Sequence, residues 1–128
     1  MMEQKDKDLL LKDLCARLAY GVKVKCDNYI MKVLGVHAPG MTVDITDGEH
    51  RFSAVRIEEV KPYLRPMSSQ TSEEREELNN ILEYQYYSDD SCMCEASDWL
   101  NAHHFDYRGL IEKGLAIEVT EENNPYKG

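Results

Sequence analysis

Several things are scarce in this 128-residue chain. It has 1 Trp, at position 99. No apolar run approaches the ~20 residues that a bilayer-spanning helix needs, and no membrane partner is expected. The segment from Met1 to Asp8 is charged and lacks the apolar stretch of a secretory signal, which points to a cytoplasmic protein. The 4 cysteines do not follow a disulfide framework, and without a secretory signal none is expected. No Gly-x-Ser-x-Gly turn is present. Gly109 and Gly114 are too far apart to form a phosphate-cradling loop. Positive charge is scarce in one half only. Residues 1–66 hold 11 Lys and Arg against 10 Asp and Glu, whereas residues 67–128 hold 4 against 14, a balance of −10 within a total of −9. Direct binding to a nucleic-acid backbone, which needs clustered Lys and Arg, is not expected. The acidic half suits a basic protein partner, mimicry of nucleic acid, or simply a solvated surface.

The stretch from Val22 to Val60 carries the clearest pattern. Val22, Val24 and Cys26 alternate with Lys23 and Lys25, a period of two that separates apolar from charged side chains. Asp27-Asn28 suits a tight hairpin turn. Tyr29 to Val36 reads as a second strand, apolar on both faces apart from Lys32 and hence expected to be the most buried. Met41, Val43 and Ile45 alternate with Thr42 and Asp44. Asp47-Gly48 is a hairpin signal, and Phe52 to Ile57 returns. Four short strands give an antiparallel meander, which must curl or be covered to hide its edges and apolar face. The expected fold is α+β: a small antiparallel β-meander curled into an SH3-like barrel, with an N-terminal helix, C-terminal short helices and a closing strand. One domain over 1–120 is expected, with its strand core at about 22–60, an acidic helical part at about 71–114, and a flexible tail at 121–128.

Around the meander, Leu11, Leu14, Cys15 and Leu18 follow the spacing of an amphipathic helix. Pro62 and Pro66 interrupt the next segment, where a single 3₁₀ turn over Pro62 to Leu64 is expected. Thr71 and Glu74 form a capping box that opens a helix to about Tyr84. Ser97 suits the cap of a short helix carrying Trp99, a core anchor. Asp106 suits the cap of another through Lys113, closed by Gly114 in a Schellman-type turn. Leu115, Ile117 and Val119 alternate as the last strand. That strand can pair within the chain or across a homodimer.

Candidate functional residues fall in two groups. Tyr84, Tyr86, Tyr87, Asp89 and Asp90 resemble a protein-contact surface, because tyrosine gives contact area at low entropic cost. Cys92, Cys94, His103 and His104 are the ligand types that zinc prefers, but their spacing argues against a site. Cys-x-Cys lacks the usual gap, and adjacent helical histidines point about 100° apart. The competing reading packs His103 or His104 beside Trp99 or Phe105. Cys92, His103 and Asp106 supply the residue types of a thiol enzyme, with nothing to fix their geometry. No cofactor and no catalytic residue is assigned.

Two long runs are distinctive: Ile57 to Ser68 (IEEVKPYLRPMS) and Asp98 to Glu118 (DWLNAHHFDYRGLIEKGLAIE), joined by Leu14 to Lys25 (LCARLAYGVKVK). Together they resemble a family of short uncharacterised proteins of gut anaerobic bacteria, carried in part by their phages and mobile elements. The resemblance spans most of the chain but not Tyr84 to Glu95, and it brings no site residues. It implies a bacterial or phage cytoplasm and an accessory role. The leading expectation is therefore a non-enzymatic protein-interaction module with an unidentified protein partner. The alternatives are an acidic inhibitor or nucleic-acid mimic acting on a host DNA-handling protein, and a small metal-dependent or thiol enzyme.

Overall fold

The computed structural model describes residues 2–37, 39–87 and 94–126, with the side chains at 84–87 and 94–95 outside that description. The described residues form an α+β domain of three helices and seven strands. Helix α1 (Gln4–Arg17) comes first. Strands β1 (Lys23–Cys26), β2 (Tyr29–His37), β3 (Thr42–Thr46) and β4 (Arg51–Arg56) make the antiparallel meander. A 3₁₀ turn, Ile57–Glu59, leads into β5 (Lys61–Pro66). Helices α2 (Ser72–Tyr87) and α3 (Cys94–Ala102) follow, then the two-residue strands β6 (Phe105–Asp106) and β7 (Ile117–Glu118). No helix among the described residues is long and apolar enough to cross a membrane.

The sheet runs β4-β3-β2-β1-β5-β6, with β7 also on β5. It is open, and the barrel closure expected from the sequence does not occur. Among the described residues β4 pairs only with β3, while β5 extends the far side of β1 and takes β6 and β7 in parallel. Helix cover takes the place of closure. α1 lies against β2 and the Ile57–Glu59 turn. Its Leu10 and Leu14 are fully buried in the main core with Val24, Val33, Val43 and Ile45. Each such leucine stabilises the fold by about 1.5–3 kcal/mol relative to exposure.

The local chemistry explains where the chain turns. Asp27 and Asn28 both take positive φ (50° and 71°), as a two-residue hairpin with the twist of its strands requires. The Asp47-Gly48 turn is longer than two residues: the Asp47 carboxylate accepts from the Glu49 and His50 amides at 2.9 and 2.7 Å. Thr71 and Glu74 make the expected reciprocal cap, at 3.1 and 2.9 Å. Gly114, at φ 75°, closes the turn after Leu110, with the Leu115 amide donating to the Leu110 carbonyl at 2.9 Å.

Five expectations are corrected. β2 is half exposed rather than the most buried strand, because the helical layer covers only its Met31 and Val33 face. The α1 stripe is displaced: Leu10, Asp13, Leu14 and Arg17 are buried, and Cys15 is exposed. Pro62 to Leu64 is strand rather than 3₁₀ turn. Proline's fixed φ suits extended chain, and 3₁₀ turns flank the strand at Ile57–Glu59 and Met67–Ser69. Ser97 lies inside α3 rather than at its cap. The residues after Asp106 form turns, with the Asp106 carboxylate accepting from the Leu110 and Ile111 amides at 3.0 and 2.9 Å.

Trp99 anchors a second, smaller core with Leu78, Ala96 and Phe105. The chain beyond Thr120, where a polar tail is expected, reaches back to the sheet. The Tyr126 hydroxyl donates to the Tyr63 carbonyl at 2.8 Å and accepts from the Lys23 amide at 3.0 Å.

Candidate functional site

The tyrosines at 84, 86 and 87 occupy the last turns of α2, and their side chains lie outside the described residues. Asp89, Asp90 and Cys92 lie outside them altogether, and Cys94 opens α3 with its side chain undescribed. The two histidines are placed, and they diverge. His103 packs against Trp99 with ring centroids 4.2 Å apart and the rings tilted by 35°, and its Nδ1 is 3.5 Å from Glu74. His104 takes the left-handed position that ends α3 (φ 63°) and stacks on Tyr126 at 3.6 Å, with the rings within 9° of parallel. Among the described residues no three His, Cys, Asp or Glu side chains converge as a metal site. The Cys26 thiol has its pKa pushed up by burial and by Asp27 and Glu59, the opposite of what an activated nucleophile needs.

Three polar constellations tie elements together, two joining helices to the rest of the fold and one within the sheet. At the start of α2, Arg65 of β5 grips Glu74 with both terminal guanidinium nitrogens, at 2.8 and 2.7 Å, and lies 4.2 Å over the Phe105 ring. That fork, the Thr71 amide bond and nearby His103 hold the Glu74 carboxyl down to about 2 against partial burial. In α1, Asp13 and Arg17 are both 0% exposed. Asp13 accepts from Arg17 at 2.9 Å and from Arg108 at 2.7 Å, so one carboxylate serves two guanidinium groups. Arg17 also donates to the Phe105 carbonyl, while its other terminal nitrogen is buried without a partner among the described residues. In β3, Asp44 faces the bulges of both neighbouring strands. It accepts from the Ala54 amide at 3.0 Å and contacts His37 at 3.1 Å and Arg51 at 3.3 Å. Its carboxyl is held down to about 2, chiefly by the Ala54 amide. Each ties together charged groups from separate elements of the fold.

The surfaces left unfinished are on the sheet itself. Because the meander stays open, its inner face is not covered as far as the β4 edge. Tyr29 remains 66% exposed and Phe52 43% exposed. Between them a groove of about 270 Å³ is floored by Met31 and Ile45 and bounded by Cys26 and Val55. Strand alternation signals Phe52 and Tyr29 as apolar, but only the open topology shows how far the described residues leave them exposed. The sequence reading passed over Asp13, Arg17, Arg108 and Asp44 as site-forming residues. An Asp and an Arg four apart on a helix are the one available signal, and that spacing is equally common on solvated faces.

No protein-family model, curated protein or solved structure matches this chain.

Proposed function

We propose that this protein is a non-enzymatic interaction module of bacterial or phage origin, acting in the cytoplasm through a protein partner. The observation that carries the reading is the apolar groove between Tyr29 and Phe52, beside the edge of β4 that pairs with no other described strand. Edge strands and exposed apolar grooves are surfaces that partner chains complete. The described polar clusters support the same reading, since their charges are consumed in holding elements together. The tyrosines at 84, 86 and 87, with Asp89 and Asp90, remain candidates for a second part of the contact.

The test is affinity capture from lysate of the native host at low and moderate salt, with the retained protein identified and re-bound in purified form. Phe52→Ser and Tyr29→Ser are expected to lose that partner at both salt concentrations while keeping their fold. A partner that binds both variants as well as the parent sinks the groove. Loss on substituting Tyr86, Tyr87, Asp89 and Asp90 instead would move the contact to the acidic half.

A second reading is an acidic inhibitor or nucleic-acid mimic. It is supported by the −10 balance of residues 67–128 and by the exposure of Glu73, Glu76 and Glu77 along α2. It requires competition with DNA for a host protein that weakens steeply with salt. Competition indifferent to salt excludes it.

A further inference from the structure

We propose that the opposite, outer face of the sheet is a separate contact surface that takes an acidic segment of a partner protein. Cross-strand register carries the argument. Lys23 sits directly opposite Lys32, and Lys25 directly opposite both Lys61 and Ile30. The row through Lys23 and Lys32 continues across Thr46 to Arg51. Four lysines and an arginine from four strands therefore share one face, around an Ile30 that is 50% exposed. Like charges directly opposite one another on a sheet are destabilising, so this arrangement weakens the fold it sits on.

Among the described residues the lysines of this face are not paired with acids. Among the described residues, Lys25, Lys32 and Lys61 have no carboxylate within ion-pair distance. The Lys23 ammonium is bonded to a carbonyl, that of Pro125, at 3.0 Å. Arg51 reaches an acid, Asp44, at 3.3 Å. Acidic residues line the rims: Asp27, Glu58 and Glu59 in the hollow beside Lys25 and Lys61, and Asp47 in the one beside Lys23 and Lys32. The centre, around Ile30, is positive and apolar together.

That combination selects an acidic peptide over a nucleic acid. Lysines are point charges without the fork that grips phosphate in two places. The exposed aromatics Tyr29 and Phe52 lie on the other face, so bases find no stacking platform here. A net charge of −9 repels a long polyanion at a distance, whereas a short segment meets only the local field. Ile30 gives the peptide's apolar side chains a place to rest between their carboxylates.

The experiment titrates the full chain with a fluorescently labelled peptide of alternating glutamate and leucine, and with a labelled single-stranded oligonucleotide of equal length. Each variant is also followed by thermal melting. Lys32→Glu turns its repulsive pair with Lys23 into an attractive one and is expected to melt higher than the parent, whereas Lys25→Glu gains a pair with Lys61 but adds a carboxylate beside Asp27, Glu58 and Glu59, so its melting is expected to stay close to the parent's. The same substitutions are expected to weaken the peptide about fivefold each, since a lost pair plus a new repulsion is worth about 1 kcal/mol at an exposed site. Phe52→Ser leaves peptide binding unchanged, which separates this surface from the groove. Gain in stability for Lys32→Glu with loss of binding in both lysine variants supports the proposal. No peptide binding, binding unaffected by both lysine variants, or tighter binding of the oligonucleotide overturns it.

Discussion

At the scale of single residues, the firmest consequence of the structure concerns Asp13. A buried ion pair is weak evidence of stability, because desolvation offsets most of the attraction, but breaking one strands a charge. Asp13 answers two guanidinium groups, so Asp13→Asn leaves Arg17 without its carboxylate in a site of 0% exposure. The expected loss is about 3–5 kcal/mol, read from the urea midpoint at unchanged slope. Arg17→Met is expected to cost less, because Asp13 keeps Arg108 and the methionine fills much of the space. Equal losses for the two variants would mean that Arg108 contributes nothing. Sequence alone places Asp13 and Arg17 four apart on a helix, where a solvated pair is the usual outcome. The Arg108 that changes their meaning is 95 residues away, and no periodicity reports it.

At the scale of elements, turns and caps were legible because their causes are local. The capping box at Thr71 and Glu74, the Asp27-Asn28 hairpin and the Gly114 closure each depend on a few neighbouring residues, and each is found where the sequence places it. Thr71→Ala is expected to cost about 1 kcal/mol in thermal or urea unfolding, the ordinary value of an N-cap. No measurable change would show that the Arg65 fork, not the cap, holds the start of α2. What was illegible depended on partners far along the chain. β5 was masked by its two prolines, and its strand character comes from pairing with β1, β6 and β7. The β4 bulge was equally invisible. Ala54 sits at φ 57°, a conformation that an L-residue adopts only under local strain, with its amide tied to Asp44. Ala54→Gly removes that strain, worth about 1–2 kcal/mol, at the expense of about 0.5–1 kcal/mol of extra chain entropy. A net gain of up to about 1 kcal/mol is expected, and a loss on melting would show that the bulge is relaxed.

At the scale of the whole molecule, the helices and terminus meet the sheet through titratable groups, and this sets the response to acid. The sequence shows an acidic chain but not which groups are coupled to folding, because that depends on burial. His104, stacked on Tyr126, is held down to about 4, first by burial and then by Arg17, His103 and Arg65. The unfolded chain takes that proton below about 6.5 while the folded protein refuses it until about 4. In that window the unfolded state binds more protons, so stability is full above about 6.5 and falls as pH drops towards 4. Asp44 and Glu74, ordinarily at 3.8 and 4.5 and here held at about 2, extend the loss. Their contribution is present above about 4.5 and disappears as pH falls through 2. The decline therefore has two stages with different owners. His104→Asn keeps a residue suited to the left-handed backbone while removing the imidazole. It is expected to lower stability at neutral pH through the lost Tyr126 stack, yet to flatten the slope of melting temperature between pH 6.5 and 4. Glu74→Gln leaves that slope alone and flattens the region below 4.5. If His104→Asn retains the full slope, the first stage belongs to another group, and the seat of Tyr126 on the sheet is not coupled to protonation.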